Sequence, residues 1–245
     1  MKNFTRQQAI HKRWLLRLLS EIVDAGDLAQ KIAFKGGTCA TLLGYLDRFS
    51  VDLDFDLLDI DSKQESRKIL NKIFDNLGLK VDNQSHTQLQ FFLKYPSKHG
   101  ERNTLKLGII DNETQSNTYQ NTYIPDIDRY IKCQTIQTMF GNKLVALIDR
   151  HEKNNSIATR DVYDINYFFN QGFSYNRDVI IERTNMSIRQ YFEKLGDFIK
   201  NKISQRLITE DLNYLLDPKQ FRIACKYLKV EVLNNLKQEI DDLVS

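Results

Sequence analysis

The chain has 245 residues and a formal net charge of +3, with 41% hydrophobic and 27% charged residues. That length buries a core without staples, and the mildly basic charge does not by itself point to a nucleic-acid partner but is compatible with phosphate-bearing ligands. Three cysteines, Cys39, Cys133 and Cys225, lie far apart without CxxC spacing, which excludes a disulfide framework and a zinc knuckle. No apolar run approaches the ~18 residues of a spanning helix, so a cytoplasmic location without secretion or membrane insertion is expected.

Trp14, Leu15, Leu18, Leu19, Ile22 and Val23 recur at helical spacing, with Lys12, Arg13 and Arg17 on other faces. The pattern predicts an amphipathic helix docked on a core, the alternative being a basic nucleic-acid arm. Residues 32–34 read as a buried strand ending at Gly36-Gly37, and Thr38 opens a helix to about Leu46. From Phe49 the period changes to two. Val51, Leu53, Phe55 and Leu57 face one side, and Ser50, Asp52, Asp54 and Asp56 face the other.

Residues 63–77 alternate charge and apolar groups at helical spacing, with Gly78 as a stop. Strands are expected at 89–95 and 104–110, on either side of the polar turn PSKHGERN. The polar segment 111–123 reads as a loop or hinge, and the chain beyond it as helical over 141–150, 159–169 and most of 178–244. These elements give an α+β protein: a mixed sheet flanked by helices in residues 1–120, then a largely α-helical lobe in 121–245.

Asp is a poor strand former, and carboxylates on one face repel unless a cation lies between them. Asp52 and Asp54 project from one face about 7 Å apart along the strand. Mg²⁺ suits such a pair, because it takes one or two carboxylates together with waters and nucleotide phosphate oxygens. A calcium loop fits worse: Asp52, Asp54 and Asp56 match its first three ligands, but Leu57 stands where Gly is needed and Lys63 where Glu is needed. An edge strand with solvated carboxylates is the plain competitor. Glycines at the preceding strand-to-helix turn let backbone N–H groups approach a phosphate, although a tight turn explains Gly-Gly-Thr equally well.

KGGT at 35–38, RFSVDLDF at 48–55, NKLVALIDR at 142–150 and RDVYDI at 160–165 together resemble the motifs of the AbiEii/AbiGii nucleotidyltransferases. These are toxins of abortive-infection and toxin–antitoxin systems with a polymerase-beta-like nucleotidyltransferase fold. The resemblance implies a Mg²⁺-dependent transfer of NMP from an NTP to an acceptor hydroxyl, with RNA such as the tRNA 3′ end as the acceptor, and a cognate antitoxin. It implies that Asp52 and Asp54 hold metal. Lys35, Gly36, Gly37, Thr38 and Ser50 would line the nucleotide site and Lys143 would contact the triphosphate. Asp161 or Asp164 would complete the catalytic centre, with Arg160 orienting Asp164 or touching phosphate, or forming only an i,i+4 helix pair.

Where a third carboxylate is expected from a later strand, Lys106 and Gly108 stand instead, leaving Asp111, Asp161 or Asp164 as alternatives. A protein side chain or small molecule as acceptor, or a silent binding module of the same fold, are the rival readings. Asp56 is expected at a cleft rim or in solvent. His11, His86, His99 and His151 lack zinc spacing, so surface or packing roles are expected for them. An RNA acceptor would call on basic groups of the helical half, for instance Arg177, Arg183, Arg189, Lys194, Lys200 and Lys202, which otherwise form a solvated face.

Overall fold

The computed structural model describes residues 5–98, 100–101 and 103–243; His99 and Val244 lie outside the described residues. The chain divides into two compact units. One comprises 1–44, 50–113 and 119–134, the other 45–49, 114–118 and 135–245.

The first unit opens with α1 (Arg6–Asp24), whose Thr5 cap and Gln8 form a reciprocal capping box. Its buried stripe, Leu15, Leu18, Leu19 and Ile22, is that of a docked amphipathic helix, and His11 joins it. The His11 ring is fully buried, with its nitrogens 3.2 Å from the Tyr95 hydroxyl and 2.9 Å from the Val51 carbonyl oxygen. There follow α2 (Gly26–Ala29), β1 (Ile32–Lys35), α3 (Gly36–Leu42), β2 (Asp52–Leu57) and α4 (Lys63–Leu77), the last closed by Gly78 in the left-handed region. The remaining strands are β3 (Lys80–Gln84), β4 (Leu89–Lys94), β5 (Thr104–Asp111), β6 (Tyr119–Ile124) and β7 (Arg129–Gln134).

These strands form one mixed sheet in the order β3-β4-β5-β2-β1-β7-β6. Both outermost strands escape the period-two reading, and for one reason. An edge strand needs only one ladder and no apolar face, so β3 is exposed throughout and β6 is mostly polar. The segment 111–123 is therefore not wholly a loop, and the chain after it first makes β7 before turning helical. The helix after Gly36-Gly37 also ends at Leu42, short of the expected Leu46.

One face of the sheet carries Leu53, Phe55, Leu57, Leu89, Phe91, Leu93, Leu105, Leu107 and Ile109, all buried. Phe91 meets Phe74 of α4 edge-to-face at 5.1 Å, and Phe55 meets Phe34 at 5.0 Å. Each such side chain contributes about 1.5–3 kcal/mol on burial. The hydrophobic half of the alternation is thus spent on the core, and the opposite face receives the charged half.

The second unit is helical: α5 (Ile136–Asn154), α6 (Thr159–Asn170), α7 (Arg177–Thr184), α8 (Ile188–Lys202), α9 (Gln205–Leu212) and α10 (Pro218–Asp242). Capping boxes at Ser187 and Asp217, the latter followed by Pro218, fix where α8 and α10 begin. Phe140, Leu144, Ile165, Phe168, Phe192, Leu195, Leu228 and Val232 are buried in this unit. No described helix is long and apolar enough to cross a membrane.

Candidate active site

In the sheet unit, β2 pairs with β1 on one side and with β5 on the other, in registers that place Lys35 and Gly108 beside Asp54, and Lys106 beside Asp52. Asp52 and Asp54 are half-buried, while Leu53 between them is buried on the other face. The Asp52 carboxylate makes no hydrogen bond or ion pair among the described residues. Asp54 lies between two glycines. A Cβ on Gly36 would come within 3.1 Å of its Oδ2, and one on Gly108 within 3.2 Å of its Oδ1. Gly36 also has φ +79°, so its lack of a side chain serves both the turn and the carboxylate.

The bend after β1 delivers α3 with Lys35 as its N-cap, whose side chain makes no cap hydrogen bond. Gly37 and Thr38 are buried within α3. The Thr38 hydroxyl donates to the backbone oxygen of Asp52 and lies 2.8 Å from Ser50 Oγ, tying the helix to the start of the carboxylate strand.

Asp56 does not face solvent. It is 2% exposed and accepts from Lys35 Nζ at 2.6 Å, Gln134 Nε2 at 2.6 Å and the Tyr119 hydroxyl at 3.0 Å. The expectation of a rim position fails because the partners come from β1, β6 and β7, and the last two were unread as strands. Lys35 is consequently directed along the sheet to Asp56.

In the helical unit a second cluster forms. Arg48, from the segment 45–49, grips Asp164 through Nε–Oδ1 at 2.5 Å and Nη2–Oδ2 at 2.7 Å. Lys143 Nζ lies 2.6 Å from Asp161 Oδ1 and 2.9 Å from Asp164 Oδ2, and Arg150 Nη2 is 3.1 Å from Asp161 Oδ2. Both carboxylates are at most 1% exposed and Lys143 is 16% exposed, so Lys143 is not a solvated helical lysine. Burial works against the charge on Asp161, but Lys143 and Arg150 outweigh it and hold the carboxyl below its ordinary range. Burial likewise works against the Lys143 ammonium, and Asp161 and Asp164 together raise its pKa.

Arg160 forms no i,i+4 pair with Asp164, whose oxygens belong to Arg48 and Lys143. Asp111 pairs in register with Leu57, on the face opposite Asp52 and Asp54, and binds Lys63 at 2.7 Å. It does not join the carboxylate pair. Of the basic groups on the helical half, Arg183, Arg189 and Lys194 are ion-paired with Asp149, Glu193 and Glu152. Sequence reasoning left Arg48, Tyr119 and Gln134 without roles. Arg48 sits inside a quoted motif, but its partner lies 116 residues away and no spacing signal connects them.

Among the described residues no group of three or more His, Cys, Asp or Glu is placed to hold a metal. Mg²⁺ needs fewer: one or two carboxylates suffice when phosphate oxygens and waters fill the remaining positions. Asp52 and Asp54 meet that requirement, and the space beside Asp54 that side chains at 36 and 108 would fill is left clear by the two glycines.

A family model described as the nucleotidyl transferase AbiEii toxin of type IV toxin–antitoxin systems matches residues 17–234. No curated protein matches the chain. Among solved structures, a candidate nucleotidyltransferase from Helicobacter pylori superposes with a TM-score of 0.61 at 18% identity, covering 98% of this chain and 99% of the other. JHP933 from Helicobacter pylori gives 0.56 at 18% identity, with 98% of each chain covered. MenT4, a nucleotidyltransferase toxin from Mycobacterium tuberculosis, gives 0.58 at 14% identity, covering 94% of this chain and 82% of that one. At such identities the likeness speaks for the fold.

Proposed function

Because this chain belongs to the nucleotidyl transferase AbiEii toxin family of type IV toxin–antitoxin systems, we propose that it transfers NMP from an NTP to an RNA 3′ hydroxyl in a Mg²⁺-dependent reaction. The tRNA 3′ end is the acceptor this reading favours, and a cognate antitoxin is its protein partner. The acceptor oxygen bonds to the α-phosphorus, the bond to the bridging oxygen breaks, pyrophosphate leaves with the electron pair, and the hydroxyl proton passes to water.

The observation that carries this reading is the carboxylate pair on β2 beside a glycine bend, with Asp54 seated between Gly36 and Gly108. Asp52 and Asp54 would hold the cation. Such an ion, when bound, neutralises phosphate charge and lowers the cost of forming the attacking oxyanion. The chain's own contribution is positioning. Gly36 and Gly37 admit phosphate oxygens to backbone N–H groups, Thr38 and Ser50 fix the start of β2, and Asp56 holds Lys35 beside the bend.

In this reading the sheet unit carries metal and donor nucleotide. Within the helical unit, Asp161 and Asp164 orient the Lys143 ammonium and keep it charged. The test is incubation with labelled NTPs and Mg²⁺, alongside either total RNA or a protein extract. Label should enter RNA, and Asp52→Ala should lower transfer by about 1,000-fold or more, a loss of ~4 kcal/mol of transition-state stabilisation. Label in protein alone, or an unchanged Asp52→Ala enzyme, refutes the proposal.

A further inference from the structure

Resting on that reading of the sheet unit, we propose that the cross-strand row Asp52–Lys106–Phe92 seats the 3′-terminal nucleotide of the acceptor RNA, with Lys106 on its phosphate and Phe92 under its base. The row follows from two registers: Asp52 pairs with Lys106 between β2 and β5, and Lys106 with Phe92 between β5 and β4. Register partners share a face about 4.8 Å apart, so the backbone positions of Phe92 and Asp52 are separated by roughly 10 Å, a nucleotide-sized span.

Lys106 and Phe92 both stand half-buried on the charged face of the sheet. Lysines 35, 63 and 94 of the same unit are held by Asp56, Asp111 and Asp82, whereas Lys106 is half-buried and has no carboxylate partner among the described residues. Phe92 is half-buried on the charged face, while its neighbour Phe91 supplies the core contact with Phe74. An ammonium beside an unstacked ring suits a phosphodiester and a base, since an aromatic face stacks any base and a lysine meets its phosphate.

The side of the strand is set by the reaction. Attacking and leaving oxygens lie roughly in line through the phosphorus. The glycine bend, where the leaving pyrophosphate would sit, follows β1 on one flank of β2; β5 and β4 lie on the other flank. The acceptor therefore approaches over Lys106 and Phe92.

The experiment uses the full chain with purified total tRNA as probe. It measures tRNA binding without NTP, and the KM values for tRNA and NTP in labelled transfer, for wild type, Lys106→Gln and Phe92→Leu. Phe92→Leu keeps apolar bulk and removes the stacking face; Phe92→Tyr should behave as wild type. Each loss variant should weaken tRNA binding and raise the tRNA KM about tenfold, with the NTP KM within about twofold of wild type. Lys106→Gln should also reduce the slope of log affinity against log salt by about 0.7. A raised NTP KM with unchanged tRNA binding, or no change in either, overturns the subsite. Transfer to RNA with an unaltered tRNA KM overturns the subsite alone, and label confined to protein overturns the underlying reading as well.

Discussion

Arg48→Met offers the sharpest test of the ion cluster in the helical unit. The Arg48 side chain is 3% exposed and Asp164 is not exposed at all, so the pair is desolvated and its two hydrogen bonds, at 2.5 and 2.7 Å, satisfy both carboxylate oxygens. Removing one partner of a buried pair costs about 3–5 kcal/mol, because the other charge is left in a poorly solvating interior. Asp164 retains Lys143 at 2.9 Å, but that ammonium also serves Asp161, so the expected loss lies near the bottom of the range, about 3 kcal/mol. For a chain of this length that corresponds to a fall in Tm of roughly 6–12 °C, read by circular dichroism. Replacing both partners, Arg48→Met with Asp164→Leu, removes the orphaned charge and should recover most of the loss. A single variant melting within about 2 °C of wild type would refute the argument, since it would mean that Asp164 is solvated after all.

Two further outcomes follow from the same geometry. Gly108→Ala brings a methyl to 3.2 Å from Asp54 Oδ1, and should depress transfer at least tenfold while the fold persists. Gly36→Ala adds a left-handed backbone strain of about 1–2 kcal/mol to a 3.1 Å clash with Oδ2, so it should lower both activity and Tm. Stability should also form a plateau in pH. Asp161 is held below its ordinary 3.8, so its contribution is complete above that value and is lost as pH falls through the lowered pKa. Lys143 is raised above 10.5, so its contribution is complete below that value and is lost as pH rises through the raised pKa. Urea midpoints measured across pH would show this, and Asp161→Asn should flatten the acid limb.

Much of the molecule was legible in order of sequence. Alternation from Val51 to Leu57 determined a strand with a buried face and a carboxylate face, because side chains in an extended chain alternate whatever lies around them. The spacing of Leu15, Leu18 and Ile22 determined a docked helix, and Gly78 its neighbour's end, for equally local reasons. Tertiary structure alone decided the partners. It joined Arg48 to Asp164, turned Lys35 toward Asp56, set Gly36 and Gly108 against the two oxygens of Asp54, and put Asp111 on the wrong face to be a third ligand. It also made strands of the polar edges β3 and β6, which carry no apolar period because solvent covers one flank. Periodicity records how each segment meets water or core, whereas a hydrogen bond or ion pair between distant residues depends on which strands lie side by side, and no local spacing encodes that order.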